Sequence, residues 1–318
     1  MIDFIYNEAK PFIKEYAKIY FDDKWGVIDK SGKQIIACKY ENAFNFSEGL
    51  AAVKLNGRYG YINETGTVVI PFIYEDALEF SEGFAIVQLK ANFKFIDKKG
   101  NDLLSYTCNE ALSFSEGFAV ILRYSFEAGN HESLRGNFNF INTKGEIAIP
   151  YSYDGAKSFS EGFAAIKLNY KWGFLGKTII DFLYEDVGNF LEDMAAVKLN
   201  NKWGFIDKNS NQLIPFLYES ADSFSEGLTC VKLYGKYGFI DKSGKEIIPF
   251  VYESDSSFSE ELAKVKLNGK YGFINKSGKE IIPFVYESAS SFSEGLTKVK
   301  LNGMWGFINK EGTKYWED

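Results

Sequence analysis

The sequence predicts an all-β chain: nine tandem three-stranded antiparallel meanders of about 34 residues each, forming one open elongated or superhelical array over residues 1–318. Three observations predict it. The same wording returns nine times at a nearly fixed period, which is the mark of a repeat architecture. Apolar and polar residues alternate in short runs, as half-buried strands require. Asn-Gly and Ser-Gly pairs separate those runs, where tight hairpins need residues at positive φ. Closure of the same meanders into a β-propeller is the alternative. Against it, three strands in 34 residues is short for a blade, and nine is an uncommon blade number.

Each copy is indexed on an aromatic-Gly pair or its counterpart: Trp25, Tyr59, Phe93, Phe138, Trp172, Trp203, Tyr237, Tyr271 and Trp305. Six of the eight gaps are 34 residues, one is 45 and one is 31, so there is one insertion of 11 and one deletion of three. A period of 34 is also that of helical tetratricopeptide repeats, and local chemistry decides for strands. Leu262–Leu267 alternates, with Ala263, Val265 and Leu267 on one face and Lys264 and Lys266 on the other. Asn268-Gly269 turns the chain into a second strand around Tyr271–Ile274. Asn275–Gly278 turns it again, and a third strand follows through Glu280–Ile282. Pro283 closes that strand, suiting an edge position because Pro cannot donate to a ladder.

A connection of about a dozen residues leads to the next copy. It holds a Tyr and a Phe six apart, as in Tyr218 and Phe224 or Tyr252 and Phe258, which reads as a loop pinned at both ends. The Gly after Ser-Glu supplies a positive φ, and Asp193 and Glu261 replace it in two copies. One unit is too small to bury a core of its own, so neighbours must share faces. Tyr6, Phe12 and Trp25 keep the spacing of Tyr252, Phe258 and Tyr271, so the sequence reads as a whole number of repeats, with no room for an accessory catalytic domain.

Two copies depart from the pattern. Phe93-Lys94 and Phe138-Asn139 have lost the Gly of the pair. Between them a hairpin is lengthened around residues 124–135, and Tyr124, Phe126, His131 and Arg135 in it are the candidate binding residues of a unique site. His131 is the sole histidine of the chain.

Composition narrows the function. A net charge of −7 and a pI near 5.1 lack the basic footprint of a nucleic-acid binder. Cys38, Cys108 and Cys230 are odd in number and widely spaced, which speaks against a disulfide framework and for a reducing compartment, with the cytoplasm as the default. No apolar run approaches the length of a transmembrane helix, and the first residues lack the pattern of a signal peptide. His131 stands in an expected hairpin tip with no nucleophile assigned to it, and the cysteines lack a partner, so no catalytic residues are assigned. Carboxylate pairs such as Glu41 with Glu48 or Glu253 with Glu260 recur in nearly every copy, whereas an acid/base pair is a single constellation. They read as solvated charges or turn-capping groups forming an acidic ridge. Lys54, Lys167, Lys198, Lys232, Lys266 and Lys300 fall at matching positions and form a basic ladder. No metal-ligand spacing, phosphate-binding loop or cofactor motif occurs, so neither metal nor cofactor is assigned.

The run Lys202-Trp-Gly-Phe-Ile-Asp-Lys208, flanked by Tyr-Glu and Phe-Ser-Glu-Gly-Leu, resembles the bacterial WG (KWG) repeat over essentially the whole length. The resemblance implies β-rich tandem repeats that serve as interaction modules, and it brings no catalytic residues. The expectation is therefore a non-enzymatic scaffold whose partner is another protein. The alternative is a carbohydrate or cell-envelope ligand held by the repeated Trp and Tyr rings.

Overall fold

The computed structural model describes residues 8–10, 15–29, 31–124, 136–149, 152–254 and 256–313. All regular structure among them is strand, organised as nine small antiparallel sheets whose strands follow chain order. The chain divides into two compact units, Met1–Phe159 and Ser160–Asp318. The first unit carries four sheets. The second carries five, the division falling in the first strand of the fifth sheet, Gly155–Ser160.

The seventh sheet shows the plan. Ser220–Ala221, Leu228–Leu233, Lys236–Asp241 and Glu246–Tyr252 pair in that order. The three long strands are the expected meander. The two-residue strand was hidden in the connection, where Tyr218 and Glu219 precede Ser220, and it pairs through Ser220↔Lys232 and Ala221↔Val231. Six of the nine sheets have four strands in the described residues. With that extra strand six of the nine sheets have the strand number of a propeller blade, so the objection from length fails. The sheets are β-propeller blades, four in the first unit and five in the second, and the expected open superhelical array is corrected.

Apolar layers join consecutive blades inside each unit. In one, Ala196, Phe205, Ile214 and Tyr218 of the sixth blade meet Phe224, Val231 and Ile240 of the seventh. In the next, Cys230, Phe239, Ile248 and Tyr252 meet Phe258, Val265 and Ile274. Alternation along a strand sends successive residues to opposite faces, so Ile206 packs toward the fifth blade and Phe205 toward the seventh. A ring contact recurs at these junctions: Phe205–Phe224, Phe239–Phe258 and Phe273–Phe292 lie edge to face with centroids 4.9–5.0 Å apart.

The aromatic-Gly pair has a local explanation within each blade. Opposite Gly272 the fourth strand is bulged, with Tyr271↔Tyr286, Phe273↔Ile282 and Ile274↔Glu280 as partners. Pro283 falls inside that bulge, where the ladder asks for no N–H. The bulge brings backbone onto the glycine: a Cβ on Gly204 would lie 2.7 Å from the Ile214 carbonyl oxygen and 3.0 Å from the Phe216 ring. Lys94 and Asn139 occupy this place in the third and fourth blades. There, among the described residues, the outer segment keeps only isolated bridges, Phe93↔Cys108 and Ile96↔Asp102 in one and Phe138↔Tyr153 and Ile141↔Ile147 in the other. The new side chains reach across to it, Lys94 to Asp102 and Asn139 to Ser152. The glycine and the regular fourth strand are missing together in these two blades.

The turns are of the expected type. Asn268 and Gly269 have φ of 51° and 78°, fitting a type I′ hairpin. The Ser-Glu-Gly turn uses two positive-φ residues, Glu226 at 56° and Gly227 at 85°, and Asp193 and Glu261 adopt 70° and 72° in place of glycine.

Two outcomes follow from these local demands. Gly204→Ala should destabilise the protein by about 1–3 kcal/mol through overpacking, read as a lowered urea midpoint; an unchanged midpoint would mean the fourth strand lifts away freely. Glu261→Gly should stabilise by about 0.5–1 kcal/mol, because relief of a left-handed non-glycine residue exceeds the entropy that glycine loses on folding. Calorimetric melting checks it, and an equal or lower melting temperature contradicts the argument.

Candidate interaction surface

Each blade has two differently built ends. At one end lies the hairpin between the two central strands, together with the Tyr-Glu segment that enters the blade. The glutamate accepts a hydrogen bond from the hairpin-tip amide: Glu41 from Gly57 at 3.0 Å, Glu185 from Asn201 at 3.0 Å and Glu253 from Gly269 at 3.0 Å. The ladder lysine is the cross-strand partner of the anchor aromatic, as in Lys198↔Trp203 and Lys232↔Tyr237. Its ammonium stands over that ring, 5.4 Å from the centroid for Lys54 on Tyr59, 5.6 Å for Lys167 on Trp172 and 5.2 Å for Lys232 on Tyr237. The anchor rings from Trp25 to Tyr271 are half-buried or buried, and Trp25, Tyr59, Trp172, Tyr237 and Tyr271 are capped by lysine, not laid open as a ladder.

The opposite end holds the Ser-Glu-Gly turn and the turn between the third and fourth strands. Ser225 donates its hydroxyl to the Phe258 carbonyl of the following blade at 2.9 Å, and Ser47 does the same to Phe80 at 2.7 Å. Glu226 accepts from the backbone amide of Glu261, 3.1 Å away in the following blade, and pairs with Lys276 at 3.0 Å. Glu192 and Glu260 repeat this with Gly227 and Lys242 and with Gly295 and Lys310. The recurring glutamates do not form the separate acidic ridge expected of them. Half cap hairpin tips beside the lysines, and half clasp the next blade. The neighbouring turn is closed by Asp241, which accepts from the Ser243 hydroxyl and amide and from the Lys245 amide.

Of the sequence-predicted site residues, Tyr124 ends the strand Phe118–Tyr124 opposite Gly136. Phe126, His131 and Arg135 lie outside the described residues. Cys108 fills the third-to-fourth-blade core, and burial pushes its thiol up to about 11. No group of three or more His, Cys, Asp and Glu side chains among the described residues is placed to hold a metal ion. No helix among them is long and apolar enough to cross a membrane.

Two residues were overlooked in the sequence. Tyr170 and Tyr234 sit in hairpin tips at φ 66° and 50° and are 87% and 89% exposed. Their signal was a bulky ring in a turn slot, Tyr234 where other blades have Asn56, Asn268 and Asn302 and Tyr170 where they have Gly57, Gly269 and Gly303.

The blades and their two ends define a class, the repeat-built β-propellers. The chain belongs to the WG containing repeat family, whose model matches residues 25–59, 59–92, 140–172, 175–203, 203–237, 237–271 and 271–305. The unmatched stretch between 92 and 140 holds the two hairpins whose anchor has lost its glycine. Among solved structures, a eukaryotic initiation factor superposes with a TM-score of 0.62 at 13% identity, over 92% of this chain and 93% of that one, a likeness of fold alone. AztD from Citrobacter koseri aligns at a TM-score of 0.39 and 10% identity, over 81% and 90% of the two chains. Hsv2p of Kluyveromyces lactis aligns at 0.39 and 9%, over 73% and 92%. No curated protein matches the sequence.

The clasp makes stability pH-dependent. Burial raises the carboxyl of Glu226, but Lys276 and the Glu261 amide outweigh it and hold it below the usual range; the Asp193 amide and Lys208 do the same for Glu161. Asp241 is lowered chiefly by the Ser243 hydroxyl. A depressed folded value means stability that is present above the unfolded carboxylate pKa, about 4. It is lost as pH falls through the folded values. Urea midpoints should therefore be flat from about pH 7 to 5 and drop below about 4. Glu226→Gln should lower the neutral-pH stability by about 0.5–1 kcal/mol and flatten the acid limb; an acid limb of unchanged steepness would remove Glu226 from the account.

Proposed function

We propose that this chain is a non-catalytic repeat scaffold that binds another protein. The observation that carries the reading is the commitment of its recurring carboxylates. These are the groups an acid/base or metal-assisted hydrolase would need, and they are spent on hairpin-tip amides and on the adjoining blade. What repetition leaves over is outward-facing surface, the resource of repeat-built binders. Membership in a repeat family supports the same reading. Sugar binding through the repeated Trp and Tyr rings draws less support, because lysines cover the faces on which a sugar would stack.

The test is reconstitution. Partners captured on the immobilised full chain would be purified and remixed with it, and the complex followed by calorimetry and gel filtration. A stoichiometric complex with at least one purified polypeptide is expected. Failure of every purified polypeptide to rebind, with a glycan panel binding instead, would overturn the proposal.

A further inference from the structure

We propose that the hairpin-tip end of the fifth to eighth blades docks an acidic polypeptide segment. This rests on the scaffold reading and assigns it a place and a partner chemistry. The first observation is conformational. A left-handed backbone costs an ordinary residue about 1–2 kcal/mol, and a bulky one there is an outlier. Asn, Gly or Asp would remove most of that cost, and the corresponding tips of other blades use them at Asn56-Gly57, Asn200-Asn201 and Asn268-Gly269. Tyr170 and Tyr234 carry the cost while burying almost nothing, at 87% and 89% exposure. Among the described residues nothing repays either ring. Outliers of this kind are drawn to binding sites, where the strain is repaid by a ligand.

The second observation is charge. Directly after the tips come Lys171, Lys202, Lys236 and Lys270, the last three exposed, and none of the four has a carboxylate within ion-pair distance among the described residues. Behind Lys171, Lys236 and Lys270 stand the ladder lysines Lys167, Lys232 and Lys266 over their aromatic rings. Glu185, Glu219 and Glu253 lie at the same tips, but their oxygens already accept the tip amides. At the opposite end Lys208, Lys242 and Lys276 are each paired to a clasp glutamate. The tip end of the second unit thus presents unpaired cations around two projecting phenols, on a chain whose net charge is −7.

The same pattern selects the occupant. The glutamates at the tips of the sixth, seventh and eighth blades interrupt the basic row once per blade. That suits carboxylates spaced along a flexible segment better than a nucleic acid, whose phosphates follow one another without a gap. Tyrosines offer such a segment broad amphipathic contact at low entropic cost, as they do in other protein-binding loops.

The experiment uses the full chain and a fluorescein-labelled poly-L-glutamate of about 20 residues, followed by anisotropy in low salt. Binding is expected, weakening as salt rises because the contacts are exposed. Lys202→Glu with Lys236→Glu should weaken it at least tenfold. Tyr170→Asn with Tyr234→Asn should weaken it several-fold while raising the melting temperature, which separates lost contact from lost fold. Lys245→Glu with Lys279→Glu, on the opposite turns, should leave it unchanged. Equal losses in all three variants, or tighter binding of a duplex DNA of equal charge, would overturn the proposal. So would salt-sensitive self-association abolished by the tip variants, which would make the occupant a second copy of this chain. Should reconstituted partners bind the tip variants undiminished, this surface fails and the scaffold reading stands. Should none bind the unaltered chain, the scaffold reading itself fails.

Discussion

Everything in this molecule depends on the junction between one blade and the next. A small four-stranded sheet has two apolar faces and no means of covering them, so its stability is borrowed from neighbours. The junction supplies this in layers. At its centre a phenylalanine from the third strand meets the edge of the ring that opens the next blade's Phe-Ser-Glu, with centroids about 5 Å apart. At its margin the serine hydroxyl and the glutamate carboxylate satisfy backbone groups across the gap that would otherwise be exposed to partial burial. The apolar layer provides the energy, and the polar margin fixes the register.

Much of this was legible in the sequence. Alternation and the Asn-Gly pairs placed the three long strands. The glycine of the aromatic pair served to index the copies, and what requires it is the blade's own bulged fourth strand. The short fourth partner was not legible, because two residues such as Ser220 and Ala221 carry no periodicity. Missing it made the unit seem too thin for a blade and turned the fold toward an open array. The roles of the two glutamates were equally hidden. Glu219 caps a turn 16 residues away, and Glu226 grips a residue 35 positions on. Nothing local in either neighbourhood announces such a partner.

The candidate surface emerged from a mismatch between sequence and local geometry, not from a motif. Asparagine and glycine in a left-handed turn satisfy the backbone and say little more. A tyrosine in such a turn is a residue chosen against the backbone's preference, and Tyr170 and Tyr234 appear where the adjoining lysines lack carboxylate partners among the described residues. Sequence reading had instead favoured the insertion at 124–135, the most conspicuous irregularity of the chain. Length is the easier irregularity to see. Strain is visible only once dihedral angles are known.

The forward grip of Ser225 and Glu226 on the following blade has a consequence for how such a chain can change over generations. Each junction is written half in one copy and half in the next, so a copy pasted beside its parent arrives with both halves already matched. Residues 244–254 and 278–288 read identically, Gly-Lys-Glu-Ile-Ile-Pro-Phe-Val-Tyr-Glu-Ser in both. Recombination between such copies exchanges whole blades while leaving every interface as it was. The third and fourth blades, with Lys94 and Asn139 in place of glycine, have left that pool, and their outer segments are free to diverge alone.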